Sequence, residues 1–230
     1  MLVRKIVLAT CLLAAPAVAQ NEKTSFDCAK ARQPVERAIC STPELAALDL
    51  VMDEIYRAIM ARALPPHRAA TETAQRQWLA ARNARCNPGK PDTECLSRLY
   101  KQRVVELARG WRELNGAAMG SPITGRYTYR QKGFFGEMFL AELPSGGAFV
   151  MVDTANTGDN PHTCSLSERL KDRRGDIIEY RDTEVSKTCA IQIEVKGNTA
   201  VIREIPKDCF DLARHWCGAR GYMLGNYVKQ

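Results

Sequence analysis

Histidine is scarce in this sequence, and the local motifs of familiar catalytic sites are missing. The three histidines, His67, His162 and His215, lie outside any Gly-x-Ser-x-Gly or His-Glu-x-x-His pattern. Phosphate-binding loops, dinucleotide fingerprints and haem motifs are absent as well. The sequence therefore predicts a protein that is not an enzyme and that uses no cofactor. A hydrolase stays a third hypothesis. It would need a histidine and a nucleophile to meet in one cleft, or two carboxylates such as Glu72 with Glu137 or Asp153 with Asp159.

Long hydrophobic runs are missing too, so no membrane span is predicted. The apolar run at 6–15 is far shorter than the roughly 20 residues that a spanning helix needs. Arg4 and Lys5 precede it, and Pro16 and the small residues at 17–19 follow it, which is the order of a cleavable secretory signal. We predict a signal peptide at 1–19 and a mature protein that is periplasmic or secreted.

Charge of one sign is not concentrated anywhere in the chain. Without Arg4 and Lys5 the 33 basic side chains become 31, against 26 acidic ones, which gives a mature net charge of +5. No basic run is longer than Arg173-Arg174. This pattern predicts no nucleic-acid partner, and attraction to an anionic polysaccharide would be only general.

Cysteine is the residue type that is plentiful. Eight cysteines remain outside the leader, an even number that predicts four disulfides in an oxidising compartment. Tight metal-ligand spacing is absent, so no metal site is predicted. We favour local pairs, while pairing between Cys40 and Cys86 stays open: Cys28 with Cys40, Cys86 with Cys95, Cys164 with Cys189, and Cys209 with Cys217.

The first half of the mature chain, 20–114, has helical periodicity. Apolar residues recur every three or four positions after Pro43, and Ser41 with Glu44 has the spacing of a capping box. Arg82 follows Trp78 by one turn and is placed to stack on the indole. The predicted helices, which form a small bundle pinned by disulfides, are 35–40, 42–64, 67–85 and 94–114.

The second half, 123–230, follows a linker rich in small residues at 115–122 and alternates with a period of two. Short antiparallel strands of this kind form a small barrel or sandwich. The fold class is therefore α+β with two domains. A helical turn is expected at 208–216, and the predicted strands are 125–130, 136–142, 148–153, 162–168, 177–180, 188–195, 199–205 and 221–228.

The helical half contains a set of motif segments at 25–31, 35–40, 43–49, Tyr56, 75–78, Arg82, Cys86, 95–96 and Arg103. Together these segments resemble the N-terminal domain of the LprI lysozyme-inhibitor family. The resemblance covers about 26–114, and it implies a helical domain and, by analogy, inhibition of lysozyme. The β half looks like the barrel that accompanies such domains in some exported proteins, and no binding residues carry over to it.

The leading hypothesis is an exported envelope binding protein that inhibits lysozyme, or another cell-wall hydrolase, by blocking its cleft. The alternative is a non-catalytic protein that binds peptidoglycan or a surface glycan through the mouth of the β domain. Common animal lysozymes are basic, so a partner of charge +5 needs an acidic patch or an inserted loop. Candidate contacts are Phe134 and Phe135 in one loop and Arg173 and Arg174 in another, although the first pair could be core and the second a solvated turn.

Overall fold

The computed structural model describes residues 24–87, 89–116, 122–158, 160–206, 209 and 214–230. The predicted signal peptide and most of the predicted linker and of the turn at 208–216 lie outside these residues. A short 3-10 helix, Cys28–Lys30, precedes four α-helices. These are α1 (Pro34–Ser41), α2 (Pro43–Arg62), α3 (Pro65–Arg85) and α4 (Thr93–Asn115). A proline begins each of the first three, where its missing N–H costs nothing.

The predicted capping box at Ser41 and Glu44 is wrong. Helix α1 ends at Ser41, and the Ser41 hydroxyl donates to the carbonyl of Ala38, 3.2 Å away. The hydroxyl is therefore engaged with the preceding helix, and α2 starts without a side-chain cap. A capping box occurs one helix earlier, where the Glu36 carboxylate accepts from the backbone N–H of Gln33 at 3.0 Å.

Among the residues that the structure describes, nine antiparallel strands form a single sheet that curls into a nearly closed barrel, so the predicted α+β class is confirmed. The sheet order is β4-β3-β2-β1-β9-β8-β7-β6-β5, and β4 comes into contact with β6 across the opening. Three-residue β5 was not predicted because it is too short to show alternation. The strands are β1 (Gly125–Gln131), β2 (Phe134–Glu142), β3 (Ala148–Asn156), β4 (Thr163–Leu170), β5 (Asp172–Arg174), β6 (Ile177–Tyr180), β7 (Ala190–Lys196), β8 (Thr199–Ile205) and β9 (Gly225–Lys229).

Aromatic side chains fill the inside of the barrel. Tyr129 and Tyr227 stack with ring centroids 4.6 Å apart, and Tyr127 is buried beside them in the same core. Each hydroxyl donates to a backbone carbonyl, Tyr127 to that of Ile123 at 2.7 Å for example. Burial raises the pKa of Tyr127 to about 12. The interior is thus a packed core with its polar ends satisfied.

The two disulfides of the helical half form as predicted, Cys28 with Cys40 and Cys86 with Cys95. The two predicted pairs of the barrel are wrong, because Cys164 bonds to Cys217 and Cys189 to Cys209. β4, which contains Cys164, and β7, which Cys189 precedes, are not paired with each other in the sheet. Instead, the Ser165 N–H donates to the carbonyl of Trp216 and brings Cys217 beside Cys164.

The helices and the barrel share a second hydrophobic core. The outer face of β2 and β3 contributes Phe139, Phe149 and Met151 to the same cluster as α2 and α4. Ion pairs cross this seam as well. Lys101 pairs with Glu137 at 2.9 Å, Arg112 with Glu142 at 2.7 Å and Arg169 with Glu54 at 2.7 Å. Apolar contacts and charges therefore join the two halves.

Glu44, in the first turn of α2, gives the seam a dependence on pH. Burial and the nearby Asp153 raise the pKa of Glu44 above 4.5, and Lys101 offsets them only partly. A raised pKa in the folded state means that this carboxyl favours folding below about 4.5, and that the benefit is lost as the pH rises through the folded-state pKa.

We therefore expect Glu44→Gln to raise the midpoint of thermal unfolding slightly at pH 7 and to leave it nearly unchanged at pH 4. The control is Glu94→Gln, which removes the same charge from the exposed first turn of α4. Calorimetric melts at both pH values measure the effect. Equal changes of the unfolding midpoint in the two variants would contradict the raised pKa of Glu44.

Candidate functional site

Residues of the motif segments in the helical half build a buried polar network. The Asp49 carboxylate accepts from the backbone N–H of Ser25 at 2.7 Å and from the hydroxyl of Tyr100 at 2.9 Å. Arg82 in turn donates to the Tyr100 hydroxyl at 2.7 Å. The predicted stacking is confirmed, since the Arg82 guanidinium carbon lies 5.6 Å from the centre of the Trp78 ring. These side chains join α2, α3 and α4 to the N-terminal segment.

A second buried contact links the same helices nearer the middle of the bundle. The Arg103 Nε donates to the amide oxygen of Gln75 at 3.0 Å, and the Gln75 amide lies against the sulfur of Met52 at 3.5 Å. Gln75 and Arg103 are both buried. The buried side chains of the motif segments therefore hold the helices together, so a surface for a partner must use other residues.

Phe134 and Phe135 lie where β2 leaves a tight hairpin. Lys132 and Gly133 make the turn, with φ values of 51° and 77°, a pair of left-handed conformations that suits a two-residue hairpin. Phe134 turns inward and packs on Tyr222, with ring centroids 6.2 Å apart. Phe135 points outward and is 42% exposed. Phe135 is thus the more exposed of the two phenylalanines.

The outer side of β1 continues the exposed surface from this hairpin. Arg126, Thr128 and Arg130 alternate with buried tyrosines and face solvent. The sheet register places Phe135 opposite Arg130 and Val228, which is 51% exposed, opposite Thr128. Neighbours in register are within contact distance on one face of a sheet. We call these five residues the β1 face.

Glu137 borders the β1 face and is neutralised by two cations. It accepts from Lys101 at 2.9 Å and from Arg126 at 2.8 Å. Burial alone would raise the pKa of Glu137, but the hydrogen bonds from Arg126 and Lys101 outweigh it and lower the pKa. The carboxylate therefore stays charged at neutral pH, and the β1 face keeps a net positive charge.

Arg173 and Arg174 lie at the other end of the barrel. Phe134 begins β2, whereas Glu142, with which Arg173 forms an ion pair, ends it. The Arg173 side chain is 12% exposed and also donates to the carbonyl of Gly175. Arg174, the last residue of β5, is exposed. The structure thus keeps the two predicted contact loops apart, and it engages Arg173 within the fold.

The histidines considered for catalysis belong to different elements. His67 lies in the first turn of α3, while His215 lies against Trp216 at the barrel end, with ring centroids 5.3 Å apart. Glu72 pairs with Arg76 on α3, whereas Glu137 on β2 pairs with Lys101 and Arg126, and Asp159 lies outside the described residues. Within the described ranges no cluster of three metal-ligating side chains occurs, and no helix has the length and hydropathy of a membrane span.

Geometry therefore defines a helical bundle and a barrel, each with two internal disulfides, and an exposed aromatic and basic face. The family model described as "Lysozyme inhibitor LprI" matches residues 28–107. The match lies in the helical part of the chain, where the resemblance was predicted, and it ends within α4, before the barrel. Comparison with curated proteins gave no match, and comparison with solved structures gave none either.

Sequence reasoning missed most of the β1 face. Arg126, Arg130 and Val228 were not among the candidates, although the alternation of 125–131 already puts Arg126 and Arg130 on the outward side. What the alternation could not show is that β9 pairs with β1 and brings Val228 beside Thr128. The surface exists only because strands distant in sequence are neighbours in the sheet.

Proposed function

We propose that this protein is an exported envelope binding protein that inhibits a lysozyme, or a related cell-wall hydrolase, by covering its substrate cleft. The match of residues 28–107 to the lysozyme inhibitor LprI family carries the proposal. The four disulfides support export, because such bonds persist in oxidising compartments. No catalytic step is assigned to the chain.

The β1 face is the surface that we assign to the partner. Aromatic and arginine side chains are enriched at the energetic centres of protein interfaces, and Phe135 stands opposite Arg130 in the sheet. Val228 extends the apolar part of the face. Because the strands beneath are hydrogen-bonded on both sides, these side chains are held in place before the partner arrives.

The β1–β2 hairpin supplies a narrow projection that could enter a cleft. Lys132 stands at its tip, where its ammonium donates to the hydroxyl of Tyr222 at 2.9 Å and lies 4.3 Å from the centre of the same ring. The catalytic carboxylates of glycoside hydrolases are negative, so Lys132 and Arg130 complement them locally. Local attraction of this kind offsets the repulsion expected between two basic proteins.

The direct test is a cell-wall clearing assay with animal-type, invertebrate-type and goose-type lysozymes at low and physiological salt. We expect the oxidised protein to inhibit one class in a dose-dependent manner. No inhibition of any class, together with no binding in calorimetry, would reject the proposal.

We expect Phe135→Ala to weaken binding to that lysozyme by about tenfold or more, because an exposed aromatic at the centre of an interface contributes heavily. The control is Leu64→Ala, which removes a side chain that is 71% exposed between α2 and α3. Leu64→Ala should leave the dissociation constant unchanged. Calorimetric titration measures both. If the two variants bind as tightly as the parent protein, the partner does not use the β1 face.

Aromatic rings at one end of the barrel favour glycan binding as a second candidate. Phe134 packs on Tyr222 there, and Tyr180 meets Trp216 edge to face with ring centroids 4.9 Å apart. Rings that are partly exposed in this way can stack on sugars. Binding to purified sacculi, with no effect on any hydrolase, would favour this function over inhibition.

A further inference from the structure

An open cleft lies between α4 and the start of β1. Its volume is about 1240 Å³, enough for a ligand of several rings. Val105 and Ala108 give it an apolar wall on the helix, and Thr124 and Gly125 line it on the barrel. We call this space the α4–β1 cleft.

Positive charge is in excess around the α4–β1 cleft. Two acidic side chains line it, Glu106 and Glu113, against five basic ones: Lys101, Arg109, Arg112, Arg126 and Lys229. Glu106 is moreover engaged by Arg103, at 2.8 Å. The lining therefore attracts anions.

Acidic groups beneath the cleft are each shared between two cations. Glu137 accepts from Lys101 and Arg126, and Glu142 accepts from Arg112 and Arg173. Each carboxylate is therefore outnumbered by its two cations, and each set of one carboxylate and two cations has a net positive charge. The seam is thus held together without neutralising the cleft.

Two cations of the lining are suited to a ligand. Arg109 is exposed on α4 and forms no ion pair with any residue that the structure describes. Lys229 donates to the carbonyl of Pro122 at 2.7 Å, and burial together with the nearby Arg112 lowers the pKa of Lys229. An anion in the cleft would supply the countercharge for both.

We propose that the α4–β1 cleft binds a carboxylate-bearing envelope ligand, with Arg109 and Lys229 contacting its carboxylates. Guanidinium groups bind carboxylates through paired hydrogen bonds, and an ammonium adds a point charge. The apolar wall accommodates the uncharged part of the ligand. Two sources have this chemistry, the stem peptides of peptidoglycan and uronic-acid polysaccharides. The cleft shares Arg126 with the β1 face that we assign to the hydrolase, but Arg109 and Lys229 lie outside that face.

Calorimetric titration of the oxidised protein with soluble muropeptides and with polygalacturonate oligomers tests the site, with neutral chitin oligomers as the uncharged probe. We expect binding of at least one carboxylate probe that weakens as salt increases. Arg109→Gln and Lys229→Gln should each weaken it by about tenfold, the usual contribution of a charged hydrogen bond. Muropeptide binding alone would identify stem peptides, and binding of both probes would identify carboxylates in general.

The control variant is Arg98→Gln, which removes an exposed arginine of the same helix outside the cleft, where it pairs with Glu94. It should bind like the parent protein. An absence of binding by both carboxylate probes at low salt would overturn the proposal, as would equal losses in Arg98→Gln and Arg109→Gln. Lysozyme inhibition by Arg109→Gln should stay at the parental level, so the two sites are tested separately.

Discussion

Asp49→Ala is expected to lower the free energy of unfolding by about 3 kcal/mol. The substitution removes the acceptor of the Ser25 N–H and of the Tyr100 hydroxyl, and the Tyr100 side chain is fully buried. A buried donor without an acceptor loses its hydration and gains nothing in return. Urea unfolding at pH 7 measures the loss, with an unchanged dependence on urea concentration as the sign that the folded state is intact.

Asp53→Ala is the matched control for this network. Asp53 lies one turn further along α2 and pairs with the exposed Arg57 at 2.8 Å, so its loss should cost less than about 1 kcal/mol. Folded Asp49→Ala protein should also bind lysozyme as the parent does, because the network serves the fold. A similar cost for both variants would show that the Asp49 network is not a main support of the bundle.

Glu142→Ala is the second variant with a large expected effect, about 3–5 kcal/mol of unfolding free energy. Glu142 is 4% exposed and accepts from Arg112 of α4 and from Arg173 of β5. Its removal deprives two partly buried guanidinium groups of their shared acceptor. We expect the helices and the barrel of this variant to unfold together, at one unfolding midpoint lower than that of the parent protein, because they share a hydrophobic core.

Circular dichroism measures the unfolding of the helices in this experiment. Hydrogen exchange of the β7 amides measures the unfolding of the barrel. Glu72→Ala is the control, since Glu72 pairs with Arg76 on the exposed side of α3 and its loss should be nearly neutral. Helices that stay folded after the barrel has melted would contradict a single unit of folding.

The helices and most strands could be predicted from the sequence because their signals are local. Prolines begin α1, α2 and α3, and the period of apolar residues changes from helical to alternating beyond α4. Strands β6 and β8 match their predicted bounds because turn residues flank them on both sides.

Features that depend on the sheet order were not predictable in this way. Spacing favoured Cys164 with Cys189, but the backbone of Cys164 pairs with that of Cys217, which lies much further along the chain. Arg173 reads as a solvated turn residue, yet the end of β2 brings Glu142 to it. Each outcome depends on which strands become neighbours, and that is decided by packing of the whole barrel.

Competition kinetics on a soluble chromogenic chitin oligosaccharide would test the central claim most directly, with the lysozyme class that the protein inhibits. A protein that covers the cleft through the β1 face must raise KM without changing kcat, and a non-hydrolysed chitin trimer must displace it. We expect competitive inhibition by the parent protein and weaker competitive inhibition, with a higher inhibition constant, by Phe135→Ala. Inhibition that lowers kcat at constant KM, or no inhibition at all, would contradict the account.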